Sequence, residues 1–321
     1  MKILITGGGG FLGSHLAERC LAGGHEVFAM DIARDYKVRH LFSDKRFHYI
    51  YDSIMNMEML DTMVSKCDIV YHMAAVVGVE HYVADPYHVL NVNINGTQNV
   101  LKAAYKYGRK VVFTSTSEVY GKNERIPFRE DSDRVLGPTT IDRWCYSTSK
   151  AAGEHFCLAY KKMGLPIVIL RYFNVYGPRL DAIDRGRVIT IFMGKLLKNL
   201  DLSVIGDGNQ TRCFTYVSDA IEATYGAGMR DGVEGQVFNI GGDRETSIKE
   251  LAGLMIGISE SLSKIRYVVE ESVYGTSYED IPRRVPDVRK MNKVLGVRAD
   301  VSLEAGLKKT IDWMRKNEVG K

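Results

Sequence analysis

A glycine triplet that directly follows a short apolar run constrains the fold of this chain more than any other feature. Residues 2–6 (KILIT) have the pattern of a buried strand, Gly7, Gly10 and Gly13 follow at GxxGxxG spacing, and residues 13–22 form an amphipathic helical pattern. In such a turn, the first glycine permits a sharp reversal, the second lets N–H groups approach a pyrophosphate, and the third lets helix and strand pack closely. No Gly-Lys-Ser/Thr follows, which excludes a Walker-type phosphate loop. The sequence therefore predicts a dinucleotide site.

An acidic residue at the end of the second predicted strand indicates which dinucleotide binds. Asp31 follows the glycines by about 20 residues, the usual position for a ribose-binding acid. A carboxylate there accepts hydrogen bonds from both ribose hydroxyls and repels a 2′-phosphate. Arg34 is the nearby residue that would favour a 2′-phosphate instead. The pattern predicts NAD rather than NADP as the cofactor.

Short apolar runs alternate with helical patterns through the first half of the chain. The strand-like runs are residues 2–6, 26–30, 47–51, 68–72, 110–115, 167–172 and 237–240. This alternation predicts an α/β fold, a Rossmann-type doubly wound parallel sheet with helices on both faces. We expect an NAD-binding domain over residues 1–175, its sheet completed by segments near 213–245. Residues 176–321 are expected to form mainly a smaller, interleaved α/β substrate domain that ends in a helix over 302–316.

Composition and charge exclude several classes of protein. The 321 residues are 45% hydrophobic and 26% charged, as in folded globular chains, which excludes disordered and collagen-like classes. The net charge of +4 is too small and too evenly spread to indicate a nucleic-acid partner. No apolar run reaches the ~18 residues of a membrane span, and no signal-peptide pattern is present. Five scattered cysteines without a CxxC pair predict neither a metal site nor disulfides, and favour a cytoplasmic location.

A tyrosine and a lysine four residues apart form the candidate catalytic pair. Tyr146 and Lys150 lie in YSTSK near the start of a predicted helix, so both side chains share one face. A phenol has a pKa near ~10, and a neighbouring ammonium group together with an oxidised nicotinamide favours the phenolate. Tyr146 is therefore expected to act as a base on a substrate hydroxyl. Thr116 ends the predicted fifth strand, at the sheet edge where ligands bind in such folds.

Nine motifs in a fixed order give the chain a family resemblance. They are TGGGGFLG (6–13), HMAA (72–75), NINGT (93–97), STSEVYG (115–121), YSTSK (146–150), RYFNVYGPR (171–179), GDGNQTRCFTYVSDAIEA (206–223), FNIGG (238–242) and RVPD (284–287). Over residues 1 to about 315 the chain resembles the extended short-chain dehydrogenases, the NAD-dependent epimerases and dehydratases of nucleotide sugars. The resemblance implies an enzyme that oxidises C4 of a UDP-linked sugar to a ketone. It also implies a homodimer that packs through helices 95–107 and 146–161.

The resemblance further implies a role for each matching residue. The implied cofactor-binding residues are Gly7, Gly10, Phe11, Leu12, Gly13, Asp31, Asp52, Ser53, Ala74, Ala75, Asn93, Ser115, Tyr146, Lys150, Tyr172 and Val175, with Asp52 and Ser53 at the adenine. The implied catalytic residues are Thr116, Ser117, Glu118, Tyr146 and Lys150. The implied substrate-binding residues are Tyr82, Asn174, Arg187, Arg212, Arg284 and Asp287. Among these, Asn174 and Arg212 would hold the phosphates, and Arg284 and Asp287 would lie by the ribose and phosphates of the nucleotide.

Within this family the resemblance is closest to the UDP-glucuronate decarboxylases, which form UDP-xylose, and to the UDP-sugar 4-epimerases, and four residues favour the decarboxylases. Glu118 in Thr-Ser-Glu matches those enzymes, whereas plain hexose 4-epimerases usually carry no acid there. Arg187 in DRGRVITIF resembles their uronate-binding arginine, since a guanidinium fits a C6 carboxylate. Tyr82, ten residues after His72, and Trp144, just before the Tyr/Lys motif, resemble them too. Once C4 is a ketone, loss of carbon dioxide leaves an enolate that hydrogen bonds stabilise.

Other residues favour different outcomes for the same ketone. Val79 and Glu80 stand where the decarboxylases tend to carry prolines, and HMAAVVGV resembles an epimerase segment. The alternative prediction is therefore a 4-epimerase of UDP-glucuronate or UDP-glucose. A 4,6-dehydratase ranks lower, because Ser117 replaces the acid expected in the deoxythymidine-sugar branch. A non-catalytic NAD-sensing protein ranks last, because Tyr146 and Lys150 are both present.

Overall fold

The structure, a computed structural model, describes residues 1–181, 186–269 and 281–317. The rest of the predicted substrate domain, residues 182–185, 270–280 and 318–321, lies outside the described residues. The strands are β1 (Lys2–Thr6), β2 (Glu26–Asp31), β3 (Phe47–Tyr51), β4 (Ile69–His72), β5 (Lys110–Thr116), β6 (Ile167–Tyr172), β7 (Val175–Tyr176), β8 (Leu202–Ile205), β9 (Thr211–Cys213), β10 (Thr215–Tyr216), β11 (Val237–Ile240), β12 (Glu245–Ser247), β13 (Ile265–Val268) and β14 (Arg283–Arg284). The α-helices are α1 (Phe11–Ala22), α2 (Met57–Lys66), α3 (Val79–Ala84), α4 (Pro86–Asn91), α5 (Thr97–Tyr107), α6 (Arg143–Lys162), α7 (Val188–Leu197), α8 (Val217–Met229), α9 (Ile248–Ser259) and α10 (Leu303–Asn317).

A parallel sheet of seven strands dominates the described part of the chain. Its strand order is β11-β6-β5-β4-β1-β2-β3. The direction of strand addition reverses between β1 and β4, which opens a crevice at the carboxyl ends of the strands, where ligands bind in open α/β sheets. The predicted Rossmann-type fold class is confirmed, and each of the seven predicted strands is present within one residue of its predicted ends.

Alternation along the central strands explains why helices cover both faces of the sheet. In β1, Ile3 and Ile5 pack into one apolar cluster while Leu4 packs into the other, and all three are fully buried. Helices α1 and α8 contribute to the first cluster, and α2, α5 and α6 contribute to the second. Since successive side chains of a strand point to opposite faces, a strand buried on both sides has a continuous apolar sequence. This packing fixes α6, the helix that carries the predicted catalytic pair, against the sheet.

Three smaller sheets are formed by the described residues outside the main sheet. Strand β10 pairs with β7, β13 pairs with β8, and β9 lies between β12 and β14. The parallel pairing of β14 with β9 sets Arg284 opposite Arg212. Two arginines 72 positions apart in the sequence are thereby brought to one edge of the crevice.

Helix boundaries differ from the predictions by a few residues. Helix α1 begins at Phe11 rather than at residue 13, and α5 begins at Thr97 after a π-helical turn, Val92–Gly96. The final helix is Leu303–Asn317, and the hydroxyl of Ser302 accepts a hydrogen bond from the N–H of Ala305 at 3.2 Å, as a serine cap does. In the described residues we find no helix of the length and apolar character needed to cross a bilayer.

Candidate active site

A cavity of about 860 Å³ opens at the carboxyl ends of the central strands. It extends from the glycine turn, past the ends of β4 and β5 and the first turns of α6, to β9 and β14. All the predicted site residues line it except Asn93 and Asp287. The structure therefore brings together residues that span positions 7 to 284 of the sequence.

The glycine turn has the shape of a pyrophosphate cradle. Gly7 has a φ of +74°, and an added Cβ on Gly13 would lie 2.1 Å from the carbonyl oxygen of Gly7. Gly10 precedes α1 without a side-chain cap, and no acidic residue occupies the first helical turn. The N–H groups and partial positive charge of this helix end are therefore available to an anion. Residues without side chains at these positions fit the diphosphate of NAD.

We expect Gly13→Ala to weaken NAD binding and to destabilise the protein. The new methyl group meets backbone rather than a movable side chain, and such overpacking costs about 1–3 kcal/mol. The measurement is NAD affinity by calorimetry together with thermal unfolding. Gly253→Ala, in helix α9 with open space around the added Cβ, is the matched control and should leave NAD affinity unchanged. Equal NAD affinity in the two variants would contradict this role for Gly13.

Two aspartates are oriented by the backbone at the cofactor end of the cavity. The carboxylate of Asp31 accepts hydrogen bonds from the N–H groups of Gly9 and Ala33, each at 2.9 Å. Asp52 accepts from the N–H of Ser53 at 2.7 Å. Each carboxylate oxygen retains a lone pair, so Asp31 can accept hydrogen bonds from the ribose hydroxyls, as the sequence predicts. Arg34 is exposed.

Two of the predicted site residues do not reach the cavity. Asn93 is buried, accepts from the N–H of Val76 at 2.8 Å, and donates to the hydroxyl of Ser149 at 3.1 Å. It therefore ties the loop after β4 to helix α6. Asp287 accepts hydrogen bonds from Arg289 at 2.5–3.0 Å. Both residues therefore make contacts within the protein and lie outside the lining of the cavity.

The predicted catalytic pair, Tyr146 and Lys150, lines the cavity. The hydroxyl of Tyr146 lies near that of Thr116, and its ring stacks on that of Tyr82 with centroids 6.1 Å apart. Burial, together with the charge of Glu118, raises the pKa of Tyr146 to about 12. Burial lowers the pKa of Lys150 to about 8, and its ammonium lies 4.7 Å from the centre of the Phe113 ring. Helix α6 presents Tyr146 and Lys150 on one face, as their spacing predicts.

Glu118 lies between two arginines, of which sequence reasoning identified only one as a site residue. Arg143 donates to its carboxylate through Nε at 3.2 Å and Nη2 at 3.0–3.1 Å. Arg284 donates through Nη1 at 2.5 Å. Burial opposes ionisation, but the two guanidinium groups dominate and lower the pKa of Glu118 to about 2. Glu118 is therefore an anion at neutral pH and carries no proton to donate.

Two arginines have partners that the sequence did not predict. Arg284, expected beside the nucleotide, pairs with Glu118 and lines the same cavity as Tyr146. Arg143 is 1% exposed and lies one helical turn before Tyr146. The three-residue spacing from Tyr146 could have indicated that Arg143 lies on the same helix face. Its partner Glu118 is 25 positions away in the sequence, so only the fold reveals that the two residues pair.

The remaining predicted substrate residues, Asn174, Arg187 and Arg212, also line the cavity. Arg187, expected at the sugar carboxylate, donates to Asp181 at 2.9 and 3.1 Å and is half exposed. Arg212 donates to the carbonyl of Thr211 at 2.8 Å. Asn174 has a φ of +39°, a conformation that favours asparagine among residues with a Cβ. These cationic and amide groups suit the diphosphate of a nucleotide.

Comparisons with known proteins agree with this geometry. A family model described as "NAD dependent epimerase/dehydratase family" matches residues 3–241. A UDP-N-acetyl-alpha-D-glucosaminuronate decarboxylase of Bacillus cytotoxicus is 44% identical over 320 residues, covering 99% of this chain and 98% of the relative.

Solved structures with the same fold include proteins of two other activities. The UDP-glucuronic acid 4-epimerase of Bacillus cereus, in complex with UDP-glucuronic acid and NAD, superposes with a TM-score of 0.87 at 31% identity, covering 98% of this chain and 99% of that one. A dTDP-glucose 4,6-dehydratase of Streptomyces venezuelae, with NAD bound, superposes with a TM-score of 0.88 at 28% identity, covering 99% and 98%.

Proposed function

We propose that this chain, which belongs to the NAD-dependent epimerase/dehydratase family, decarboxylates a UDP-linked hexuronic acid. It is an enzyme, and it uses NAD. In this proposal residues 1–175, completed by β11, hold the cofactor, and residues 176–321 supply mainly the substrate side. The predicted substrate, UDP-glucuronate, and its 2-acetamido analogue, on which the Bacillus cytotoxicus relative is named to act, are the two candidates.

The observation that carries the proposal is the buried group of Glu118, Arg143 and Arg284 beside Tyr146. Oxidation at C4 needs the tyrosine, the lysine and the threonine, and the buried arginines beside them are an additional cationic group that an acidic sugar can use. The guanidinium of Arg284 lines the cavity and already faces one carboxylate. A planar guanidinium matches a carboxylate in shape and charge, so the same wall suits the C6 carboxylate of a uronic acid.

The residues of the cavity can support oxidation at C4, loss of carbon dioxide and stabilisation of the enolate that this loss leaves. NAD, when bound, supplies the reversible two-electron oxidation of C4. Tyr146 takes the proton of the C4 hydroxyl, while the positive charge of Lys150 on the same helix face favours the phenolate. Once C4 is a ketone, the C5–C6 bond breaks, its electron pair forms the C4–C5 enolate, and carbon dioxide leaves. Thr116 and the newly protonated Tyr146 donate hydrogen bonds to the enolate oxygen.

Glu118 has a positioning role in this scheme. Because its pKa is about 2, it remains ionised and holds the guanidinium of Arg284 in place. In this scheme C5 receives a proton from solvent. The hydride taken from C4 would then return to it, and Tyr146 would give its proton back to the C4 oxygen, which regenerates the cofactor and the base. Deuterium from heavy water should therefore appear at C5 of the product.

Mass spectrometry of the product tests the proposal. The enzyme is incubated separately with UDP-glucuronate and with UDP-N-acetylglucosaminuronate, and we expect the mass of one carbon dioxide to be lost from at least one of them. The ratio of kcat/KM for the two substrates then identifies the preferred sugar. An unchanged mass with both compounds rules out decarboxylation, and NMR of the same samples would show whether C4 has been inverted.

A 4-epimerase of UDP-glucuronate is the second candidate. It is favoured by Val79 and Glu80 in place of prolines and by the 31% identity to the Bacillus cereus epimerase. Such an enzyme holds the C5–C6 bond out of alignment with the π system of the C4 ketone, so that this bond does not break. The Arg187–Asp181 pair at the cavity rim is the group that could hold the carboxylate in that position.

We further propose a cytoplasmic homodimer that packs through α5 and α6. Tyr105 on α5 is 43% exposed, and its ring meets that of Tyr160 on α6 edge to face at 5.6 Å. A second copy covering these helices would bury this aromatic pair. Sedimentation of the purified protein measures the mass of the assembly, and a monomer at micromolar concentration would exclude this dimer.

A further inference from the structure

We infer that Tyr120 and Asn239 are positioning residues, which hold Glu118 and Arg284 in place relative to each other from outside the lining of the cavity. This inference rests on the proposed function, because that pair is the one assigned to the sugar carboxylate. Tyr120 and Asn239 are 0% exposed and do not line the cavity, so neither can touch the substrate.

Tyr120 fixes the turn that carries Glu118. The two residues share the 3-10 turn Ser117–Tyr120, which follows β5 directly. The hydroxyl of Tyr120 donates to Oδ1 of Asn239 at 2.7 Å and accepts from Nη1 of Arg171 at 2.8 Å. Burial raises the pKa of Tyr120 to about 12, which keeps this hydroxyl a donor at neutral pH. The Glu118 turn is therefore tied to strand β11.

Asn239 extends the connection to the segment that carries Arg284. Its Nδ2 donates to the carbonyl oxygens of Phe128 at 2.8 Å and of Asp287 at 3.3 Å. Phe128 in turn donates its N–H to Val285 at 2.7 Å and accepts from the N–H of Asp287 at 2.8 Å. Its partners Val285 and Asp287 follow Arg284 within three positions. One buried amide thus joins two segments more than 160 positions apart, because Glu118 and Arg284 are separated by 166.

The same network continues to the catalytic helix. Arg171 donates to the carboxylate of Glu154 at 2.9 and 2.6 Å, and Glu154 accepts from the hydroxyl of Ser115 at 2.5 Å. Glu154 lies one helical turn beyond Lys150 on α6. The buried frame that fixes the Glu118–Arg284 pair is therefore continuous with the helix that carries the base. A displacement of about 1 Å at reacting groups can cost roughly 100-fold in rate, so such a frame has a measurable effect.

Tyr120→Phe is the first variant that tests the inference, since it removes one hydroxyl and keeps the ring. We expect carbon dioxide release to fall by roughly 10- to 100-fold. We also expect the holoprotein to lose most of its preference for binding UDP-glucuronate over the neutral UDP-glucose, while its NAD content stays unchanged. Tyr71→Phe is the matched control: Tyr71 is 0% exposed, donates to the carbonyl of Tyr225 at 3.1 Å and lies outside the cavity lining. The control should retain both activity and binding preference.

A double-mutant cycle separates positioning from general loss of structure. In an Arg284→Met background the group to be positioned is gone, so adding Tyr120→Phe should lower the rate little further. A full additional loss in that background would overturn the inference, as would a Tyr120→Phe variant with wild-type rate and binding preference. If Tyr120→Phe does not fold, Asn239→Asp, of equal size but without the two donors, replaces it in the cycle.

The outcomes also distinguish this inference from the proposed function. Absence of carbon dioxide release from the wild-type enzyme with both hexuronates would refute the decarboxylase. The comparison of UDP-glucuronate with UDP-glucose binding would still test whether Tyr120 is a positioning residue, because it compares an anionic with a neutral sugar and needs no turnover. A wild-type holoprotein with no preference between them would overturn the positioning inference, whereas the decarboxylase would still be judged by carbon dioxide release alone.

Discussion

Tyr146→Phe is expected to bind NAD as the wild type does and to lose turnover by about 10²–10⁴-fold, the usual contribution of a positioned acid–base group. The phenol lies near Thr116 and shares a helix face with Lys150, so removing its hydroxyl removes the group proposed to accept the proton of the C4 hydroxyl. The ring remains, and with it the stacking on Tyr82. Steady-state kinetics on the preferred hexuronate and calorimetric NAD binding are the measurements.

The control for this variant is another tyrosine that loses only its hydroxyl. Tyr267, on β13, is 58% exposed and does not line the cavity, so Tyr267→Phe should keep the wild-type rate. If Tyr146→Phe retained wild-type activity, the catalytic assignment of Tyr146 would be wrong. If it lost NAD as well as turnover, its role would be structural.

Glu118→Gln is expected to have the second large effect, on both stability and decarboxylation. The substitution leaves the guanidinium groups of Arg143 and Arg284 close together without the anion between them. Removing one partner of a buried ion pair costs about 3–5 kcal/mol. We expect urea unfolding to show a loss of that size and carbon dioxide release to fall strongly, with NAD affinity less affected because Asp31 and the glycine turn are remote from the change.

An exposed ion pair supplies the control. Glu245 accepts from Arg283 at 2.5 Å, and Arg283 is 56% exposed, so Glu245→Gln should cost only about 0–1 kcal/mol. Equal losses of stability in the two variants would contradict a buried, strongly coupled Glu118.

The pH dependence of stability gives a further signature of Glu118. Its pKa falls from an ordinary value near ~4.3 to about 2 in the folded protein, so the folded state binds fewer protons than the unfolded state between these values. Its contribution is therefore complete above about pH 4.3 and is lost as the pH falls toward 2. Glu118→Gln should flatten this acid limb of the stability curve.

Local patterns in the sequence determined the architecture and the cofactor end of the site. The apolar runs predicted all seven strands of the main sheet, because a strand buried on both faces must be continuously apolar. The spacing of the three glycines predicted the turn, since the Cβ that Gly13 lacks would strike its neighbour Gly7. The four-residue spacing of Tyr146 and Lys150 predicted their shared helix face. Each of these inferences depends on residues close together in the chain, whose geometry is set by the element that contains them.

Only the tertiary structure decided which charged groups pair. Arg187 and Arg284 were expected at the sugar carboxylate and at the nucleotide, yet the first pairs with Asp181 and the second with Glu118. Arg143 lies in the site although the sequence predicted no role for it, and Asn93 is buried and hydrogen-bonded to the loop that contains Val76. A charged side chain can pair with any group of opposite charge that the fold brings near. For Arg284 that group is Glu118, 166 positions away in the sequence. Sequence spacing fixes the face or strand end from which a side chain projects, whereas packing of distant segments fixes what that side chain meets.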